Sequence, residues 1–74
     1  MDEKIKITPY KEGVLVRANR EGLLGLAKIC TDLAALPEDR EQSRKLGNHY
    51  HYAEWMNNAE PGSMPLEILY DPEM

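Results

Sequence analysis

One cysteine, Cys30, is all the chain carries, so no intramolecular disulfide is available and a zinc cage built from several cysteines is excluded. No apolar run approaches the ~18 residues that a membrane-crossing helix requires, so no membrane partner is expected. The N-terminus, Met1-Asp2-Glu3-Lys4, is charged, and no secretory leader is expected. Together with an unpaired cysteine, this leads us to expect a reducing, cytoplasmic setting. Basic residues are outnumbered, nine against thirteen acidic, for a net charge of −4. That balance opposes a general binder of phosphate backbones, so nucleic acid is not the expected partner. It fits equally a basic protein partner or no charged partner at all. There is no internal repeat, no low-complexity tract and no phosphate-cradling glycine loop, since Gly22 and Gly25 fall inside a helical pattern without the flanking motif.

What is there describes a small globular unit. Seventy-four residues make a single domain, 1–74. A chain of this length buries only about 60% of the surface its unfolded form exposes, so its core is thin. Apolar residues at 42% and charged residues at 30% are ordinary globular values, which excludes wholesale disorder.

Ile5 and Ile7 alternate with Lys4, Lys6 and Thr8, the period of a half-buried strand. Tyr10-Lys11-Glu12-Gly13 has the composition of a short hairpin connection, with glycine expected at positive φ. Val14, Val16 and Ala18 then alternate with Leu15, Arg17 and Asn19 as a second strand. Asn19 is placed to cap a helix, with Glu21 in its first turn. Leu23, Leu26, Ala27, Cys30, Leu33 and Ala34 recur at helical spacing, Leu24, Ile29 and Leu36 widen the apolar stripe, and Pro37 stops the helix. Residues 37–48 read as a long charged loop with a helical turn around Asp39 to Lys45. His49 to Trp55 alternates as a third strand, Asn57 to Ser63 is turn chemistry, and Leu66, Ile68 and Tyr70 mark a fourth strand ended by Pro72. The expected fold is α+β: a two-layer β-β-α-β-β unit with a four-stranded, mainly antiparallel sheet and one helix on one face.

One helix covers one face of such a sheet and leaves the other open. Strand parity puts Ile5, Ile7, Val14, Val16, Ala18, Leu66, Ile68 and Tyr70 under the helix. Lys4, Lys6, Leu15, Arg17, Glu67 and Leu69 then lie on the open face. In the third strand, burying Tyr50 and Tyr52 costs less than burying two histidines that each need partners. His49 and His51 are therefore expected on the open face beside Arg17, with Trp55 a further apolar spot.

Catalytic readings fare poorly. His49-x-His51 projects two imidazoles from one strand face, spacing suited to a zinc or iron ion, with Glu54 nearby but of opposite parity. No third histidine exists, and surface histidines are the commoner meaning of that spacing, so no metal or other cofactor is expected. Cys30 falls on the apolar helix stripe, where cysteine behaves as a small hydrophobe. Pro61-Gly62-Ser63-Met64 is not a nucleophile elbow. The chain is read as no enzyme.

Three stretches share a pattern with a known family: Asn19-Arg20-Glu21-Gly22-Leu23-Leu24-x-Leu26-Ala27, then Gly47-Asn48-His49-Tyr50-His51-Tyr52, then Gly62-Ser63-x-Pro65-Leu66-x-Ile68. They resemble the immunity-protein 32 type of bacterial polymorphic-toxin systems, from about Val14 to Tyr70. The chain departs from that pattern at Asn48, where serine is usual, and at Tyr50 and Tyr52, where bulky apolar residues are common. The resemblance implies a protein that binds and neutralises a cognate toxin.

The expected function is thus a small non-enzymatic binding protein, an immunity protein acting on a toxin partner through Arg17, His49, His51 and Glu67. Two alternatives stand beside it. One is a self-associating structural or accessory subunit, such as a homodimer, that covers the open sheet face with a second copy. The other is a small metal-binding protein using His49 and His51.

Overall fold

In the computed structural model, which describes residues 2–74, the elements run β1 (Ile5–Tyr10), β2 (Gly13–Ala18), α1 (Arg20–Ala34), α2 (Arg40–Lys45), β3 (His49–Tyr52) and β4 (Leu66–Leu69). A 3₁₀ turn, Glu54–Met56, follows β3. This is the expected α+β order, with α2 formed inside the charged loop. Asp39 starts α2 by accepting a bond from the Gln42 N–H at 3.0 Å, and Arg44 and Lys45 lie at its C-terminal end, where positive charge suits the helix dipole.

β1 and β2 pair antiparallel with Tyr10 opposite Gly13, leaving Lys11 and Glu12 as the turn. Positive φ falls on Lys11 (53°) and not on Gly13, because Gly13 already belongs to the pairing. Asn19 N–H donates to the Lys4 carbonyl, so the even residues of β1 turn their backbone groups towards β2 and the odd ones away. Pro9 is odd, and its missing N–H costs the ladder nothing. By the same parity Val14 and Val16 turn theirs outward, along an edge of β2 that pairs with no strand among the described residues.

The odd edge of β1 is taken by the turn after Asn58. Glu60 N–H donates to Ile5 O at 2.7 Å, Met64 N–H to Ile7 O at 2.8 Å, and Ile7 N–H to Ser63 Oγ at 3.2 Å. Pro61 and Gly62 form the tip between them, Gly62 at φ 87°, the position where a type II turn wants glycine. The four strands therefore do not make one sheet. They form two antiparallel hairpins, β1–β2 and β3–β4, with this turn between β1 and the rest. The Glu60–Met64 turn hydrogen-bonds to β1 where a neighbouring strand would otherwise run.

α1 begins as expected. Asn19 Oδ1 accepts from Gly22 N–H at 2.8 Å and from Lys4 N–H at 3.0 Å, while its Nδ2 donates to Asp2 O at 2.8 Å. One side chain caps the helix and ties down the N-terminal segment. The packed stripe, however, is Gly22, Leu26, Ile29, Leu33 and Leu36. Leu23 (52% exposed), Ala27, Cys30 and Ala34 were expected inside and lie exposed instead, and Leu24 is 60% exposed. The apolar arc of α1 is wider than two small hairpins can cover, and Gly22 selects which part goes in. Without a side chain at that position, the helix backbone comes down onto the Lys4 carbonyl.

The core is Ile5, Ile7 and Tyr52, with Val16, Ala18, Leu26, Tyr50, Ala59, Met64, Leu66 and Ile68 packed around it. Val14 was expected there too but is 56% exposed, at the far end of β2. Burial pushes the Tyr52 phenol above its usual pKa range, and the nearby Tyr50, Glu3 and Cys30 push it the same way. The radius of gyration, 13.4 Å, exceeds the roughly 11 Å expected of a compact domain of this length. The molecule is flat, measuring 35 × 31 × 20 Å, and leaves much apolar surface uncovered.

Asn58 closes the outer edge of β3. Its Oδ1 accepts from Ala53 N–H at 2.9 Å and its Nδ2 donates to His51 O at 2.7 Å, as a neighbouring strand would. Asn58→Ala leaves both part-buried groups unpartnered and should lower stability by about 2 kcal/mol in urea unfolding. A loss within experimental error would mean that water replaces the amide.

Candidate functional site

The odd residues of β3 and β4 make the most distinctive surface. The strands pair His49 with Leu69, Tyr50 with Ile68, His51 with Glu67 and Tyr52 with Leu66. Tyr70 N–H donates to Asn48 O at 2.8 Å, which makes the even pairs the hydrogen-bonded ones. His51 and Glu67 are then a non-hydrogen-bonded pair, the kind in which facing side chains come closest. Tyr52 is buried and Tyr50 half-buried against the core, their rings edge-to-face at 5.1 Å, so the parity argument for the third strand holds. His49, His51, Glu67 and Leu69 consequently share the other face.

On that face the two imidazoles meet edge-to-face, with ring centroids 5.2 Å apart. His51 Nε2 lies 4.0 Å from Glu67 Oε2. One nitrogen of each ring and one carboxylate oxygen lie within 4.8 Å of one another. Spacing alone offered Glu54 as the nearby carboxylate, but Glu54 sits in the 3₁₀ turn beyond the strand end. Glu67 takes that place because the β3–β4 register sets it opposite His51. A register between segments joined by a long irregular connection has no local signature, so Glu67 was legible as a neighbour but not as the carboxylate facing His51.

Three of the four expected site residues are thus brought together. Arg17 is not. It lies on β2, cross-strand from Lys6, and lines an open cleft with Lys4, Asn19 and Glu60. Trp55, at the centre of the 3₁₀ turn, is 74% exposed. Ser63 keeps the structural role its turn suggested, through its bond from Ile7. Cys30 is an exposed thiol on the flank of α1, not the core residue expected.

The face offers two imidazoles, a carboxylate and an apolar neighbour on a rigid ladder, and the stretch from β2 to β4 that builds it carries all three sequence patterns. A family model described as Immunity protein 32 matches residues 13–70. The chain belongs to that family. No curated protein and no solved structure matches it. The stretch shared with the Immunity protein 32 family includes every residue of the histidine–glutamate face and excludes β1, which supplies the two isoleucines at the centre of the core. Among the described residues of this family member, no helix is long and apolar enough to cross a membrane.

Proposed function

We propose that this protein neutralises a cognate toxin by binding it directly, and that it does no chemistry of its own. Membership of the Immunity protein 32 family carries the reading. The exposed face of β3–β4 supports it: His49, His51 and Glu67 supply polar contacts, and Leu69 beside His49 supplies apolar area. Trp55 adds an exposed aromatic of the kind that anchors interfaces. A net charge of −4 steers the chain towards a basic partner and raises the association rate. The setting proposed is the cytoplasm, where a toxin would meet its inhibitor.

Tagged protein used as bait in lysate of its own source should recover one stoichiometric partner whose toxicity is suppressed by co-expression. Against that partner, the double variant His49→Ala/His51→Ala should weaken affinity at least about tenfold, or 1.4 kcal/mol. Its folding stability should stay within about 0.5 kcal/mol of the parent, since both side chains lie at the surface. Unchanged affinity would move the interface elsewhere. Arg17→Ala reports whether the partner also reaches the other hairpin.

The open edge of β2 favours a second reading, self-association by strand pairing between two copies. Unpaired backbone groups beside an exposed Val14 are a template for another strand. Sedimentation at micromolar concentration separates the two: a tight homodimer that a β2-edge proline substitution dissolves would support self-association.

A further inference from the structure

We infer that His49, His51 and Glu67 form a binding site for a single divalent transition-metal ion of the zinc class. Three features of the face point this way. The first is the donor set, two imidazole nitrogens and one carboxylate, which suits Zn²⁺ and its neighbours and not the oxygen-only preference of Ca²⁺ or Mg²⁺. All three donors stand on one antiparallel ladder, so their backbone positions are set before any ion arrives.

The second feature is the orientation of His49. Asn48 Nδ2 faces the Tyr70 carbonyl at 3.5 Å, which leaves Asn48 Oδ1 towards His49 Nδ1 at 3.3 Å. A carbonyl oxygen only accepts, so the contact is a hydrogen bond in the tautomer with the proton on His49 Nδ1, and that tautomer leaves Nε2 free to bind an ion. An oxygen acceptor on the other ring nitrogen is the usual support of a metal-ligating imidazole, and the Asn48 amide oxygen stands in that position.

The third feature is the absence of a competing cation. Among the described residues, Glu67 pairs with no lysine or arginine, and its one ionic neighbour is His51. Its carboxylate is held by nothing stronger than a 4.0 Å approach.

Ligand atoms around tetrahedral zinc lie roughly 3.3 Å apart, given bonds of about 2.0–2.1 Å. The three donors here lie within 4.8 Å of one another, and each side chain is partly exposed, so modest χ rotations close the gap without moving the strands. Three protein ligands leave at least one position on the ion for water or for a donor from another molecule.

The test is a Zn²⁺ titration of the full chain by calorimetry, with the imidazole resonances followed by NMR. One equivalent should bind with micromolar affinity and shift the rings of both histidines. Glu67→Gln and His51→Ala should each weaken binding about tenfold or more. Cys30→Ser, which removes the exposed thiol as a rival zinc ligand, should leave it unchanged. No saturable uptake at micromolar zinc would overturn the inference. Binding that survives Glu67→Gln, or that disappears with Cys30→Ser, would overturn it equally.

Discussion

Gly22→Ala should destabilise this protein by about 3 kcal/mol, against the trend that helix propensity alone would set. In an exposed helix, replacing glycine by alanine gains about 1 kcal/mol, because glycine loses the most backbone freedom on folding. At Gly22 the added Cβ would run into the Lys4 carbonyl oxygen and carbon, and would stand 3.1 Å from Ala18 Cβ. Carbonyl and helix backbone are both held, since Lys4 O accepts from Asn19 N–H and Gly22 N–H donates to Asn19 Oδ1. Relief therefore means pulling α1 away from Lys4 and Ala18 and loosening its own cap. Gly25→Ala is the built-in comparison. There the nearest atoms to the new methyl are those of the Glu3 carboxylate, with Oε1 at 2.7 Å, an exposed side chain that swings away. That variant should be neutral or gain up to about 1 kcal/mol. Urea unfolding of the pair decides the matter: a Gly22→Ala protein as stable as the parent would show that the close approach does not set the helix position.

The largest loss from a side-chain truncation should come at Ile7, which is 0% exposed and central to the core. Ile7→Ala should cost between about 2 and 5 kcal/mol, the removed methylene groups and the cavity both contributing. A chain of this size has a total stability of roughly 4–11 kcal/mol, so one truncation removes a large share of it. With few other buried residues to collapse into the space, the upper half of that range is expected. Both backbone groups of Ile7 are bonded to the Ser63–Met64 segment. Loss of packing at Ile7 should therefore also loosen the link between the hairpins, seen as faster amide exchange at Met64. A cost under about 1 kcal/mol would mean that the core is looser than its burial implies.

Much of this fold was legible in the residues. Asn19 and Pro37 bracket α1 through capping chemistry and a missing N–H, both local effects. The tyrosine and histidine faces of β3 followed from period two and from the cost of burying an imidazole. The motif residues alone resemble the immunity family, and the match over residues 13–70 agrees. The buried stripe of α1 was misjudged. Leu23-Ala27-Cys30-Ala34 and Gly22-Leu26-Ile29-Leu33 are adjacent stripes of similar apolar content, and periodicity cannot rank them. The deciding feature was an absent side chain at Gly22, which has no hydrophobicity to count.

The sequence by itself determined the order of the main elements, the ends of the long helix, the tyrosine and histidine faces of β3 and the family. Each depends on neighbours within a few residues, where dihedral preference and local hydrogen bonding act. The tertiary structure alone decided three things. The strands part into two hairpins, because Glu60 to Met64 hydrogen-bonds to the free edge of β1. α1 lands on its glycine side. Glu67 stands across from His51, while Arg17 is left on the other hairpin. All three are pairings between distant segments, settled by which backbone groups found partners and how closely two backbones approach.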